Sequence, residues 1–139
     1  MATQIRAKGD KLVESEKVTL NIGYVDLGRI DLLVQEGFYA NRSDLIRTAV
    51  RNQLAVHETS VARSVERHAF DMGLRDVTAA ELVQLRASGA SLRLKVIGLV
   101  RIAADVSAEL AGAAIAEIQV LGALQASAEV KAVLRDRIR

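Results

Sequence analysis

Apolar and polar residues alternate strictly along Lys17-Val18-Thr19-Leu20-Asn21-Ile22, and the alternation stops at Gly23. Side chains in a strand point to opposite faces in turn, so Val18, Leu20 and Ile22 share one face while Lys17, Thr19 and Asn21 share the other. Beyond Tyr24 the period changes. Leu27, Ile30, Leu33 and Val34 recur at three- and four-residue spacing among Asp26, Arg29, Asp31 and Glu36, which predicts an amphipathic helix stopped at Gly37. A second helix starts after Asn41, whose amide side chain caps free N–H groups, and Asp44 favours the positive end of its dipole. Its apolar stripe is Leu45, Ile46, Ala49, Val50 and Leu54, with Arg47, Arg51 and Asn52 facing outward.

A lone strand leaves its backbone donors and acceptors unpaired, and nothing else in the first seventy residues reads as its partner. A second copy solves this: two antiparallel copies make a two-stranded ribbon with six polar side chains on one face and both apolar sets, Val18, Leu20 and Ile22, on the other. Such a ribbon fits the major groove of DNA. The plain alternative is an amphipathic strand and two core-packing helices in an unrelated dimer.

The order KVTLNI, then GFYANRSDLIRTAVRNQL, resembles the ribbon-helix-helix DNA-binding proteins of the CopG and Arc type over roughly residues 17 to 56. The resemblance implies an intertwined homodimer on double-stranded DNA, in bacteria, with the ribbon in the major groove and the start of the second helix on a backbone phosphate. It assigns base contact to Lys17, Thr19 and Asn21, and phosphate contact to Asn41, Arg42 and Ser43. Two features depart from the family pattern. The ribbon centre carries Thr19 and Asn21 where arginine is frequent, which points to adenine and thymine-methyl contacts. Gly23-Tyr24-Val25-Asp26 also replaces a frequent proline where strand meets helix, leaving that helix start open by a few residues.

The last seventy residues carry an internal repeat. Leu94-Lys95-Val96-Ile97-Gly98-Leu99-Val100-Arg101-Ile102 aligns with Ile118-Gln119-Val120-Leu121-Gly122-Ala123-Leu124-Gln125-Ala126 at an offset of 24. Each predicted strand precedes a helix start, capped by Asp105 or Ser107 in the first and by Ser127 in the second. A fainter copy runs Met72-Gly73-Leu74, then Asp76 to Leu82, with room only for a capping fragment of strand. A strand-plus-helix period in the twenties predicts a solenoid-like stack; an ordinary small α/β domain with one duplication is the alternative. Leu94, Val96, Val100 and Ile102 belong to the inner face with Ile118, Val120, Leu124 and Ala126. The opposite face has an apolar centre of Ile97, Leu99, Leu121 and Ala123 rimmed by Lys95, Arg101, Gln119 and Gln125, the pattern of an oligomer or partner contact unless helices of the same chain cover it.

The expected fold class is therefore α+β: an N-terminal arm (1–16), a ribbon-helix-helix domain forming an intertwined dimer (17–56), a connecting helix (57–70) and a small repetitive α/β, solenoid-like domain (71–139) for oligomerisation or partner binding. Thr59 or Ser60 is the expected cap of the connecting helix. The net charge is only +2, so affinity for DNA must come from local placement of Lys17, Arg42, Arg47 and the arm's Arg6, Lys8 and Lys11. Aromatic residues are 3% of the chain, too few for single-strand binding by base stacking.

Without cysteine there is no disulfide or thiolate chemistry, and His57 and His68, eleven positions apart, make a poor metal site. No metal or cofactor is expected. There is no Gly-rich phosphate loop or nucleophile elbow, and the acidic residues sit beside basic ones at helix-surface spacing, so no enzyme is expected. No apolar run reaches the length of a membrane span, and the N-terminus does not read as a signal peptide, which predicts a cytoplasmic protein. The reading is a sequence-specific, dimeric transcriptional regulator, a repressor by preference. Two alternatives stand beside it: an antitoxin of a toxin–antitoxin pair, and a scaffold whose ribbon only dimerises.

Overall fold

A computed structural model describes residues 15–139. The expected arm, with Arg6, Lys8 and Lys11, lies almost wholly outside the described residues. The chain divides into two compact units, Lys17–Arg67 and His68–Arg139, with Ser15 and Glu16 grouped with the second.

The first unit is extended chain followed by helices. Lys17–Ile22 adopts no paired strand, and helix α1 (Tyr24–Gln35) begins directly after Gly23. Gly37, at φ 85°, turns the chain between α1 and helix α2 (Arg42–Val56). Helix α3 (Glu58–His68) follows after His57 alone. Its start corrects the expected Thr59 or Ser60 cap: the His57 carbonyl already accepts the Val61 N–H at 3.0 Å, so the turn closes before either hydroxyl residue. It ends at Ala69, whose φ of 53° is the left-handed conformation that terminates helices. None of residues 17–67 is buried. Val18, Leu20, Val25, Leu32, Leu33, Val50 and Leu54 all remain exposed, so a single copy of this unit has apolar stripes but no core.

The second unit alternates strands and helices: β1 (Asp71–Val77), α4 (Ala79–Ala87), β2 (Leu92–Ile102), α5 (Ala108–Ala114), β3 (Ile115–Gln125), α6 (Ala128–Val133) and a short 3-10 turn (Arg135–Arg137). The three strands form one parallel sheet in the order β1-β2-β3. The described chain thus mixes six α-helices with a three-stranded parallel sheet. Thr78, Ser107 and Ser127 cap α4, α5 and α6 by accepting from Glu81, Leu110 and Val130 N–H respectively. Buried Leu94, Val96, Val100, Ile102 and Ile118 meet Leu82, Ala111, Ala114, Val130 and Leu134 from the helical layer, and the core lies between the two.

The first repeat differs from expectation. It holds a complete seven-residue strand, β1, paired with β2 from Asp71 to Val77 rather than a capping fragment. The strand runs on through Arg75 and Asp76, beyond the expected fragment Met72-Gly73-Leu74: Asp76 is held by Arg101 on β2 (2.6 Å), and Arg75 pairs with Glu81 on α4. The two longer strands also begin earlier than the repeat suggested, at Leu92 and Ile115, and β3 follows α5 without a loop. Arg137 stabilises this junction by donating to the Gly112 and Ile115 carbonyls at 2.6 and 2.8 Å. Beyond it, Ile138 bridges Ile118 in parallel, and Arg139 exchanges backbone hydrogen bonds with Ile118 and Val120.

Three glycines set the geometry of the sheet. Gly73, Gly98 and Gly122 lie in one register row, all with positive φ (124°, 137° and 126°). A Cβ on Gly98 would lie 2.1 Å from the Gly73 carbonyl oxygen, and one on Gly122 would lie 2.0 Å from that of Gly98. Glycine is required there by both torsion and space. Among the described residues, no helix is long and apolar enough to cross a membrane.

Candidate nucleic-acid interface

The start of α2 is built by reciprocal capping. Asn41 Oδ1 accepts the Asp44 N–H at 2.8 Å, and Asp44 Oδ2 accepts the Ala40 N–H at 2.9 Å. The Asn41-x-x-Asp44 spacing is that of a capping box, except that Asp44 reaches back to the N–H of Ala40, one residue before the cap. Thr48 Oγ1 donates to the Asp44 carbonyl oxygen one turn on. The Arg42 and Ser43 N–H groups precede the first intrahelical donor, the Leu45 N–H bonded to the Asn41 carbonyl, and lie at the positive end of the helix dipole, an arrangement that suits an anion.

Arg42 is tied down. Its guanidinium donates to both Asp31 oxygens, Nε to Oδ1 at 2.7 Å and Nη2 to Oδ2 at 2.8 Å, joining α1 to α2. The hydrogen bond from Arg42 holds the Asp31 carboxyl below its ordinary value and the same bond raises Arg42 above its own. Two of the five guanidinium donors are used in this way, and the group keeps its positive charge.

The expected base-reading residues Lys17, Thr19 and Asn21 are all exposed on the extended segment, as are Asn41, Arg42, Ser43 and Arg47 on and before α2. Val18 and Leu20 are exposed and Ile22 is half-buried. Leu20, Asn21, Ile22, Tyr24, Leu27, Arg42 and Ile46 edge an open hollow of about 420 Å³, so the strand segment, α1 and the start of α2 converge there. The sequence reading missed the Asp31–Arg42 pair, because a separation of eleven positions across a turn gives no period linking the two. The Asn41-x-x-Asp44 spacing was visible.

Ile97, Leu99 and Leu121 lie on the sheet face away from the helices. There Met72, Ile97 and Leu121 form one register row, Leu74, Leu99 and Ala123 a second, and Asp76, Arg101 and Gln125 a polar third. Met72, Leu74 and Leu121 keep 66%, 49% and 55% of their surface exposed, so this apolar face has no cover from the described helices of its own unit. A hollow of about 660 Å³ follows the glycine row and is also edged by Ser15 and Glu16.

An extended segment of alternating pattern, two helices with a reciprocal cap between them, and a unit with no core of its own define the ribbon-helix-helix class. The model of the Ribbon-Helix-Helix transcriptional regulator family matches residues 13–131, and the chain belongs to that family. Membership implies a DNA-binding transcriptional regulator that dimerises. The match reaches well past the segment of resemblance at 17–56 and takes in most of the strand–helix repeat. No curated protein and no solved structure matched the chain.

Proposed function

We propose that the protein is a sequence-specific transcriptional repressor that reads the major groove with a ribbon made from Lys17–Ile22 of two chains. The observation that carries this reading is the unfinished state of Lys17–Arg67. Among the described residues its strand segment has no partner, Val18 and Leu20 are exposed, and no residue in the unit is buried. A second copy supplies both missing parts, because the two strands pair and Val18, Leu20 and Ile22 of each chain close the hollow edged by Leu27 and Ile46 of the other. Lys17, Thr19 and Asn21 then line the polar face of the ribbon, and Asn21 takes the bidentate contact to adenine suited to an amide. The Arg42 and Ser43 N–H groups receive a phosphate, with Arg42 and Arg47 as nearby cations. Repression follows from occupancy, since blocking a promoter needs no further surface. The reading is non-catalytic and places the protein with the chromosome in a bacterial cytoplasm.

The repeats behave as a one-dimensional stack in this reading. Among the described strands, β1 pairs with β2 and β2 with β3 in sequence order, and α5 packs between α4 and α6.

The test is to incubate the purified protein and its Asn21→Ala variant with fragmented DNA from the source genome at near-physiological salt and sequence what is retained. A few enriched sites sharing a short repeated motif, lost in the variant, are expected. Equal retention by both proteins would sink the reading and leave the ribbon as a dimerisation device.

A further inference from the structure

We propose that the outer face of the β1–β2–β3 sheet is covered by the same face of the second chain within one ribbon dimer. The inference rests on the ribbon dimer proposed above. Six apolar side chains, Met72, Leu74, Ile97, Leu99, Leu121 and Ala123, stand in two register rows on this face. The described helices of the unit all serve the opposite face, where the core lies; Ser15 and Glu16 edge the hollow along the glycine row, and Met72, Leu74 and Leu121 stay about half or more exposed.

Area and tethering select the occupant. At the usual strand spacing and rise, two rows across three strands cover on the order of 200 to 300 Å². A stable complex between free partners buries about 800 Å² on each side. The patch is therefore too small to hold a partner arriving from solution. A second copy on the same dimer does not arrive from solution: each chain of a ribbon dimer carries this face beyond α3, so the twin face is present at an effective concentration on the order of millimolar. A free competitor has to exceed that concentration at the same small patch. Self-pairing also suits the chemistry, because isologous contact sets each apolar centre against another apolar centre and keeps the polar row of Asp76, Arg101 and Gln125 at a rim.

The chain has no cysteine, so a single introduced thiol reports on one position only. Full-length Leu121→Cys is compared with Val83→Cys, whose side chain is 56% exposed on the helical side of the unit. Light scattering first gives the mass of each, and a short bifunctional thiol cross-linker is then added over a range of dilutions. The expected result is a dimer mass for both, with efficient linkage into covalent dimers for Leu121→Cys alone at a yield unchanged by dilution. A dimer mass without linkage, linkage equal to that of Val83→Cys, or linkage of dimers into tetramers that fades on dilution would overturn the pairing and leave the ribbon dimer standing. A monomer mass for both variants and for the parent protein would overturn the ribbon dimer and this inference together. Circular dichroism matching that of the parent protein keeps a folding defect from imitating lost linkage, and Leu99→Cys repeats the test at the centre of the same face.

Discussion

Arg42 grips Asp31 through two parallel hydrogen bonds of 2.7 and 2.8 Å, so the first residue of α2 is fixed to the middle of α1. The pair has two consequences for DNA. It orients the N-terminal turn of α2, and it sets a carboxylate beside the charge expected to face phosphate. Asp31→Asn keeps the shape, keeps Arg42 charged and removes the competing anion. Affinity for DNA of any sequence is expected to rise, with the slope of log affinity against log salt steepening by up to about 0.9, the value of one additional phosphate contact. Fluorescence anisotropy across a salt series measures both. An unchanged slope would mean that the Asp31–Arg42 pair lies away from the phosphates.

Acid should unpick a second ion pair. The hydrogen bond from Arg101 is the main cause that holds the Asp76 carboxyl below its ordinary value of 3.8, with the charges of Arg101 and Arg75 adding to it. A carboxyl whose folded pKa is depressed contributes stability that is complete above its unfolded pKa and is lost as pH falls through the folded one. The β1–β2 pairing should therefore be insensitive to this group from neutral pH down to about 4. Below that it weakens. In Asp76→Asn the acid-dependent share is absent, so the difference in melting temperature between variant and parent should shrink as pH drops under 4. A difference that stays constant from pH 7 to pH 3 would refute the linkage.

The glycine row separates steric need from torsional need. Gly98 and Gly122 each present a neighbouring carbonyl oxygen within 2.1 Å of where a Cβ would stand, whereas a Cβ on Gly73 meets nothing within 4 Å. All three have positive φ. Gly73→Ala should cost only backbone strain, about 1 to 2 kcal/mol, while Gly98→Ala and Gly122→Ala must also push strands apart and should cost more. Thermal melts of the three variants are expected to rank Gly73→Ala well above the other two. Equal losses would mean that the sheet yields at the carbonyls.

Much of this arrangement was legible in the sequence because it is periodic. The 3.6-residue period placed α1 and α2, and the aligned Gly98 and Gly122 placed β2 and β3 in the register they adopt, whereas the alternating Lys17–Ile22 forms no strand in a single chain. Ser107 and Ser127 announced their helices because a cap is a local event. What escaped was non-local. β1 looked too short for a full strand because Arg75 and Asp76 do not read as strand residues until Glu81 and Arg101, the latter 25 positions away, are placed beside them. Arg42 looked free because its partner lies on another helix. The start of α3 was misplaced because the hydroxyls of Thr59 and Ser60 advertise a cap that the His57 carbonyl makes unnecessary.

Asn41 offers a way to divide stability from DNA contact at a single position. Its side chain accepts the Asp44 N–H, and loss of such a cap in Asn41→Ala should cost about 1 kcal/mol in urea unfolding at fixed protein concentration. DNA binding should weaken as well, because the turn that presents the Arg42 and Ser43 N–H groups frays. Asn41→Asp makes the opposite separation. The carboxylate caps as well as the amide and favours the helix dipole, so the fold should be as stable as the parent or slightly more so. It also sets a negative charge where a phosphate is expected, so affinity for DNA should fall at low salt and recover relative to the parent as salt screens the repulsion. Parallel unfolding curves and anisotropy titrations on Asn41→Ala and Asn41→Asp make the comparison. If Asn41→Asp binds DNA as tightly as the parent at low salt, the start of α2 does not face the backbone, and the phosphate anchor must be sought elsewhere on the dimer.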